Sequence, residues 1–168
     1  MEKYAARQEL KNYLKQLNEI YAELPALQEL SKEANRQGLA GRKEEELRTI
    51  RELVARSATF TARFAALQPE SPRLAAIHNK LLRVNEITHE ALALRANLLA
   101  DMAAAGQLPD PNREIWKERI AAFWAKHEEG ARAFAELEEM LIAYGNSLGV
   151  NARDYLPNLY AAPGLPPE

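Results

Sequence analysis

The sequence contains no cysteine. That absence excludes disulfides, thiolate metal sites, covalent c-type haem attachment and a cysteine nucleophile. It leaves the compartment open, because a cysteine-free chain suits either redox environment. Long apolar runs are missing too: nothing approaches the roughly 20 residues that span a bilayer, so no membrane insertion by this chain is expected. The start, MEKYAARQEL, has no signal-peptide apolar region. A soluble chain is expected, cytoplasmic or extracytoplasmic, with any targeting segment lying outside it. The 22 basic and 24 acidic residues are scattered and sum to a net charge of −2. Without a block of like charge there is no electrostatic footprint for nucleic acid. Catalytic patterns are absent as well: no phosphate-cradling glycine loop, no G-x-S-x-G and no H-E-x-x-H. A non-enzyme is expected. There is no internal repeat and no low-complexity tract.

What remains is an amphipathic chain of 168 residues, 47% hydrophobic and 27% charged. Those values suit one globular domain with a single substantial core. Glycine and proline fall where helices should end. Gly38 closes a periodic segment that begins near the N-terminus, and GLAG (38–41) reads as a connection with Gly38 as the left-handed terminator. A second helix opens on Lys43 with Glu44, Glu45 and Glu46 near its positive end. Ser71 and Pro72 supply an N-cap and a first helical residue, and Asp110 and Pro111 repeat the signal. Gly106 and Gly149 mark the ends of the third and fourth helices. The expected helices are 3–37, 43–67, 72–105 and 111–148. Pro25 should kink or briefly break the first.

Large apolar residues recur at alternating steps of three and four. In the last helix the stripe reads Trp116, Ile120, Phe123, His127, Gly130, Phe134, Leu137, Leu141, Tyr144 and Leu148. Such a stripe keeps one face against its neighbours over many turns. With short connections it predicts an all-α, up-down-up-down antiparallel four-helix bundle over 1–150. The tail, 151–168, is too rich in proline to be helical. Its Tyr155, Leu156, Leu159 and Tyr160 should fold back onto the bundle.

A turn between 105 and 111 pairs residues of the last two helices whose numbers sum to roughly 216, and the preceding connection gives a sum of roughly 139. His127 then lies at the level of Thr88 and His89, and Gly130 near Glu86. Glu86 and His89 form the only E-x-x-H pair. A di-iron carboxylate bundle needs that motif twice, with further inward glutamates, so a dinuclear site is not expected. Glu86, His89 and His127 are weak metal candidates that lack an evident third or fourth ligand. Two imidazoles on neighbouring helices also suit a non-covalent haem, and Gly130 would admit a flat ligand. The plainer reading is a half-buried histidine bonded to Thr88 or a carbonyl, beside a glycine that relieves packing. Arg95, on the core stripe, should pair with Glu44, Glu45 or Glu46, or else bind an anion.

Two functional expectations follow. The first is a non-enzymatic binding or scaffolding domain that needs no cofactor. It would contact another protein or a second copy through exposed aromatics such as Trp124, Tyr155 and Tyr160. The alternative is a sensor-like bundle with a small-ligand or haem pocket between the third and fourth helices, lined by Thr88, His89, His127, Gly130 and Arg95.

Overall fold

The computed structural model describes residues 1–105 and 114–160. Among these residues the regular structure is helical throughout, without a strand. In chain order the helices are α1 (Glu2–Tyr21), α2 (Leu24–Leu39), α3 (Lys43–Ala65), α4 (Pro72–Ala104) and α5 (Glu114–Ser147). A 3₁₀ turn (Ala152–Tyr155) and a single helical turn, α6 (Pro157–Tyr160), follow. Among the described residues no helix is long and apolar enough to cross a membrane.

Two expectations require correction. The first rod is two helices, which raises the count of long helices among the described residues from four to five. The ladder stops at Tyr21 and resumes at Leu24. The amides of Ala22 and Glu23 close back on Glu19 and Ile20, three residues earlier. Pro25 explains the break, since it has no N–H to donate and its ring crowds the preceding turn. The tail, expected to be non-helical, forms two short helical turns. Asn151 starts the first by accepting from the Arg153 amide, and proline at the head of the second is tolerated because a first-turn N–H is unused.

The punctuation also shifts in detail. Gly41, not Gly38, takes the left-handed conformation after α2, with φ +72°. The Arg42 amide reaches the Gln37 carbonyl and the Gly41 amide reaches Gly38, which is a Schellman ending. Gly149, with φ +66°, ends α5 in the same way, the Val150 amide bonding Gly145 and its own amide bonding Asn146. Ser71 stands at the N-cap of α4 without a side-chain cap bond. The Glu9 carboxylate caps that end instead, accepting from the amides of Glu70 and Ser71. Burial opposes its ionisation, but the donated bonds outweigh this and hold its carboxyl below the ordinary value. Gly106, Asp110 and Pro111 lie outside the described residues.

The core is divided along the length of the helices. One half gathers Leu10, Leu14, Leu17 and Tyr21 of α1 with the start of α4, the end of α5, Phe64, and Leu156 and Leu159 of the tail. The other joins Ala34 of α2 to Leu47, Ile50 and Leu53 of α3, Leu98, Leu99 and Met102 of α4, and Trp116 of α5. Successive helices from α2 to α5 pack pairwise. Ion pairs mark the seam between α4 and α5: Lys80 with Glu136, Glu90 with Lys126, and Asp101 with Arg119. As the α4 numbers rise the α5 numbers fall, so these two helices run antiparallel.

The second half is locked at one end by Glu46. Its buried carboxylate accepts from Arg95 at 3.0 Å and from Lys43 at 3.2 Å. A Cβ on Gly38 would lie 2.8–2.9 Å from that carboxylate, so only glycine leaves room for it. Arg95 thus finds an acidic partner from the start of α3, and the pair occupies the place considered for an anion. Glu46→Ala should leave a half-buried guanidinium unpaired and lower stability by about 2 kcal/mol. The double substitution Glu46→Ala, Arg95→Met should recover most of that loss in urea titrations. An undiminished loss in the double variant would assign the effect to packing around Gly38 instead.

Candidate functional site

The central level of α4 and α5 is where the sequence gathered its polar residues, and the structure distributes them over different faces. Gly130 is buried, and its Cβ position faces Ile87 Cγ2 at 3.4 Å and Thr88 Oγ1 at 3.7 Å. A methyl group there would meet α4 in ordinary contact, so the gap beside Gly130 is no larger than one methyl. The Thr88 hydroxyl donates to the Val84 carbonyl within its own helix at 3.0 Å. Glu86 is exposed and paired with Arg83 at 2.7 Å.

His127 is exposed. The seam position it was expected to hold belongs to Lys126, whose ammonium spans to Glu90 at 2.9 Å and to Glu129 at 3.0 Å. A step of three from Phe123 reaches the seam and a step of four leaves it. An ammonium on a long stem satisfies two carboxylates there, which an imidazole cannot reach. His89 is half-buried, and its Nδ1 lacks a hydrogen-bond partner, as does Nδ2 of Asn85 one turn earlier. No group of three or more metal-ligating side chains occurs among the described residues.

The level is instead distinguished by what α5 leaves uncovered. IAAFWA, 120–125, is apolar on every face of the helix, and none of the six residues is buried. Such a segment ordinarily lies inside a protein. Here α4 covers one side, while α2 lies along α3. Trp124 is 54% exposed, and Ile115 and Leu94 are exposed close by in sequence or level. Phe123, Trp124 and His127 form an aromatic cluster, with ring centroids 5.1, 5.7 and 6.1 Å apart. Ala121, Ala122 and Ala125 leave the helix backbone approachable around them. The sequence carried this signal in its unbroken six-residue apolar run, which the search for a single inward stripe passed over.

The other two aromatics proposed for an interface are used by the chain itself. Tyr155 is half-buried with the Lys11 ammonium 6.0 Å from its ring, and the Tyr160 hydroxyl donates to Glu138 at 2.6 Å. Among the described residues, Trp124 makes ring contacts only within its own cluster.

No protein-family model, curated protein or solved structure matches this chain. Its function must therefore be read from its own surface and interior.

A buried polar pair went unnoticed in the sequence. Tyr13 of α1 and His78 of α4 meet edge to face, with the hydroxyl 3.0 Å from Nδ1. Burial pushes the imidazole below its ordinary value, which favours the neutral ring as acceptor of the phenol proton. Burial pushes the phenol the other way, upward. The pair joins helices that are not consecutive, so the connections between neighbours could not reveal it.

Replacing Gly130 with alanine should be neutral or stabilising, by up to about 1 kcal/mol, since alanine is the better helix former and its methyl has room. His127→Leu should leave stability within about 0.5 kcal/mol, because the position is solvent-facing. Chemical denaturation checks both, and a loss of several kcal/mol in either variant would argue for a buried role. A pH effect belongs to His78. The unfolded imidazole takes up its proton near pH 6.5 and the folded one only at lower pH. Its contribution is intact above about 6.5 and is lost as pH falls through the folded value. His78→Asn keeps an acceptor for Tyr13 without titrating, so the stability gap between the native chain and this variant should narrow on acidification. A gap independent of pH would remove the assignment.

Proposed function

We propose that this chain is a non-enzymatic docking domain that binds an amphipathic helix of another protein on the exposed aromatic face of α5. The supporting architecture is itself part of the proposal: a single up-down-up-down bundle over 1–150 whose first rod is split into α1 and α2, with the tail packed against it. One observation carries the reading. Six consecutive apolar residues, 120–125, sit on a helix that buries none of them. Uncovered apolar area of this kind is retained where a partner covers it.

The composition of the face favours a helix as the occupant. Trp124 offers a large anchor, and tryptophan is enriched among residues that dominate binding energy. Ala121 and Ala125, one turn apart, let a second helix approach closely beside it. The Asp101–Arg119 and Glu90–Lys126 pairs border the face on the α4 side. That is a polar rim around an apolar centre, the usual anatomy of an interface. The half-buried Phe123 and the exposed His127 brace the indole against one position, which reduces the ordering cost on binding.

A photo-crosslinking amino acid placed at position 124 should capture a discrete protein partner in cells that make the chain, whereas the same group at exposed Glu139 should not. Trp124→Ala should leave the unfolding midpoint nearly unchanged and abolish capture by a crosslinker at position 121. An adduct of twice the chain's mass would assign the face to self-association. Absence of any adduct at 124 would sink the docking proposal.

A further inference from the structure

Helix α5 carries two stripes on different sides. The inward one holds the buried Trp116, Gly130, Leu137 and Leu141. The outward one runs through Glu114, Lys117, Ala121, Trp124, Glu128 and Ala131, and every one of these is exposed. Its steps alternate between three and four residues, which keeps the line on one side of a helix, as the a and d positions of a coiled coil are kept. Charge stands towards its ends and apolar surface at its centre. Among the described residues neither Lys117 nor Glu128 makes an ion pair. Arg119 and Lys126, which face α4, are by contrast paired with Asp101 and Glu90.

The outward stripe has the same spacing read from either end. Turned end for end and laid against itself, it sets Trp124 opposite Ala121 twice and Lys117 opposite Glu128 twice. At each of these levels a large ring meets a small side chain, or a cation meets an anion. Lys117 and Glu128 stand about 16 Å apart along the helix axis, so the two ion pairs would bracket an apolar centre of about three turns. The exposed Arg132 comes to the level of Glu114 beyond them, again with opposite charge. A parallel arrangement fails this test, because it sets Lys117 against Lys117 and Glu128 against Glu128. Complementarity to itself is what a two-fold contact between identical chains requires.

We propose that a second copy of this chain occupies the α5 face when no other partner does, with the two α5 helices antiparallel about a two-fold axis between Ala121 and Trp124. Each indole packs over Ala121 and Ala125 of the second copy, and each Lys117 pairs with the Glu128 opposite. Docking of another protein's helix is then coupled to release of the second copy, because both need Trp124. That coupling rests on the docking reading of this face; the pairing itself is measured on the purified chain alone.

The purified full chain, sedimented over a range of concentrations, should convert reversibly between monomer and dimer. Raising the salt should weaken the dimer, because its ion pairs lie at the surface. Lys117→Glu or Glu128→Lys alone sets like charges opposite each other twice and should weaken dimerisation about tenfold or more. The double exchange, Lys117→Glu with Glu128→Lys, should restore most of that loss. Trp124→Ala should leave a folded monomer, checked by circular dichroism. The pairing is overturned if the native chain is monomeric at every concentration, or if Trp124→Ala dimerises as well as the native chain. It is also overturned if the double exchange is no better than the single ones. The two readings of the face fail separately. A monomer that still gives a discrete foreign adduct at position 124 removes only the pairing. A dimer whose sole adduct in cells has twice the chain's mass removes only the docking to another protein.

Discussion

The absent N–H of Pro25 governs the arrangement of this molecule. A continuous first rod would present one stripe from Leu10 to Ala34 to the same neighbours. The break after Tyr21 lets its two parts serve different cores. α1 delivers Leu10, Leu14, Leu17 and Tyr21 to a core with the first half of α4, the second half of α5 and the tail. α2 lies along α3 and closes the other core with Ala34. Because α2 follows α3, the first half of α5 has α4 as its main cover. Within the run 120–125, Ile120 packs against that second core while Trp124 stays exposed.

Glycines show how one residue type serves unrelated purposes in such a fold. Gly41 and Gly149 supply left-handed backbone at helix ends. Gly38 and Gly145 are needed for what approaches them: the Glu46 carboxylate in the first case and the Val150 carbonyl, 2.5 Å from a would-be Cβ, in the second. Gly130 does neither, since its surroundings would accept a methyl group. A glycine in a helical stripe beside a histidine suggests a ligand when only the sequence is seen. Distances to the opposing helix decide otherwise, because Ile87 and Thr88 leave room for a methyl group and no more.

Much of the scaffold was legible because it depends on local chemistry. Helix ends at Pro72, Gly149 and the GLAG turn follow from backbone rules, and the pairing of Arg95 with the acidic start of α3 follows from counting across one short connection. The same counting placed Gly130 within one helical turn of its neighbours, Ile87 and Thr88. Rotation about the helix axis was less legible. A stripe of alternating threes and fours leaves the choice between Lys126 and His127 undetermined, and that choice is made by Glu90 and Glu129 from outside the stripe. Contacts between non-consecutive helices were hidden altogether. Tyr13 with His78, Glu9 with the head of α4, and Asn18 with Asn158 all depend on where α1 lies after the break, which no connection length encodes.

These hidden contacts share one feature: each ties α1 to an element far away in the chain through a polar bond at the margin of an apolar core. Apolar burial draws α1 towards α4 and α5, but it is non-directional and would tolerate sliding by a turn. A phenol on an imidazole, a carboxylate on two amides and an amide on an amide are directional, and each fails if the helix shifts by a turn of about 5.4 Å. Their net contribution to stability is modest, about 1 kcal/mol each. Their larger effect is to select one register among several of similar hydrophobic energy. The same logic separates the two ends of the tail. Leu156 and Leu159 make it adhere, Asn158 fixes where, and the Tyr160 hydroxyl, donating to Glu138, ties its end to α5.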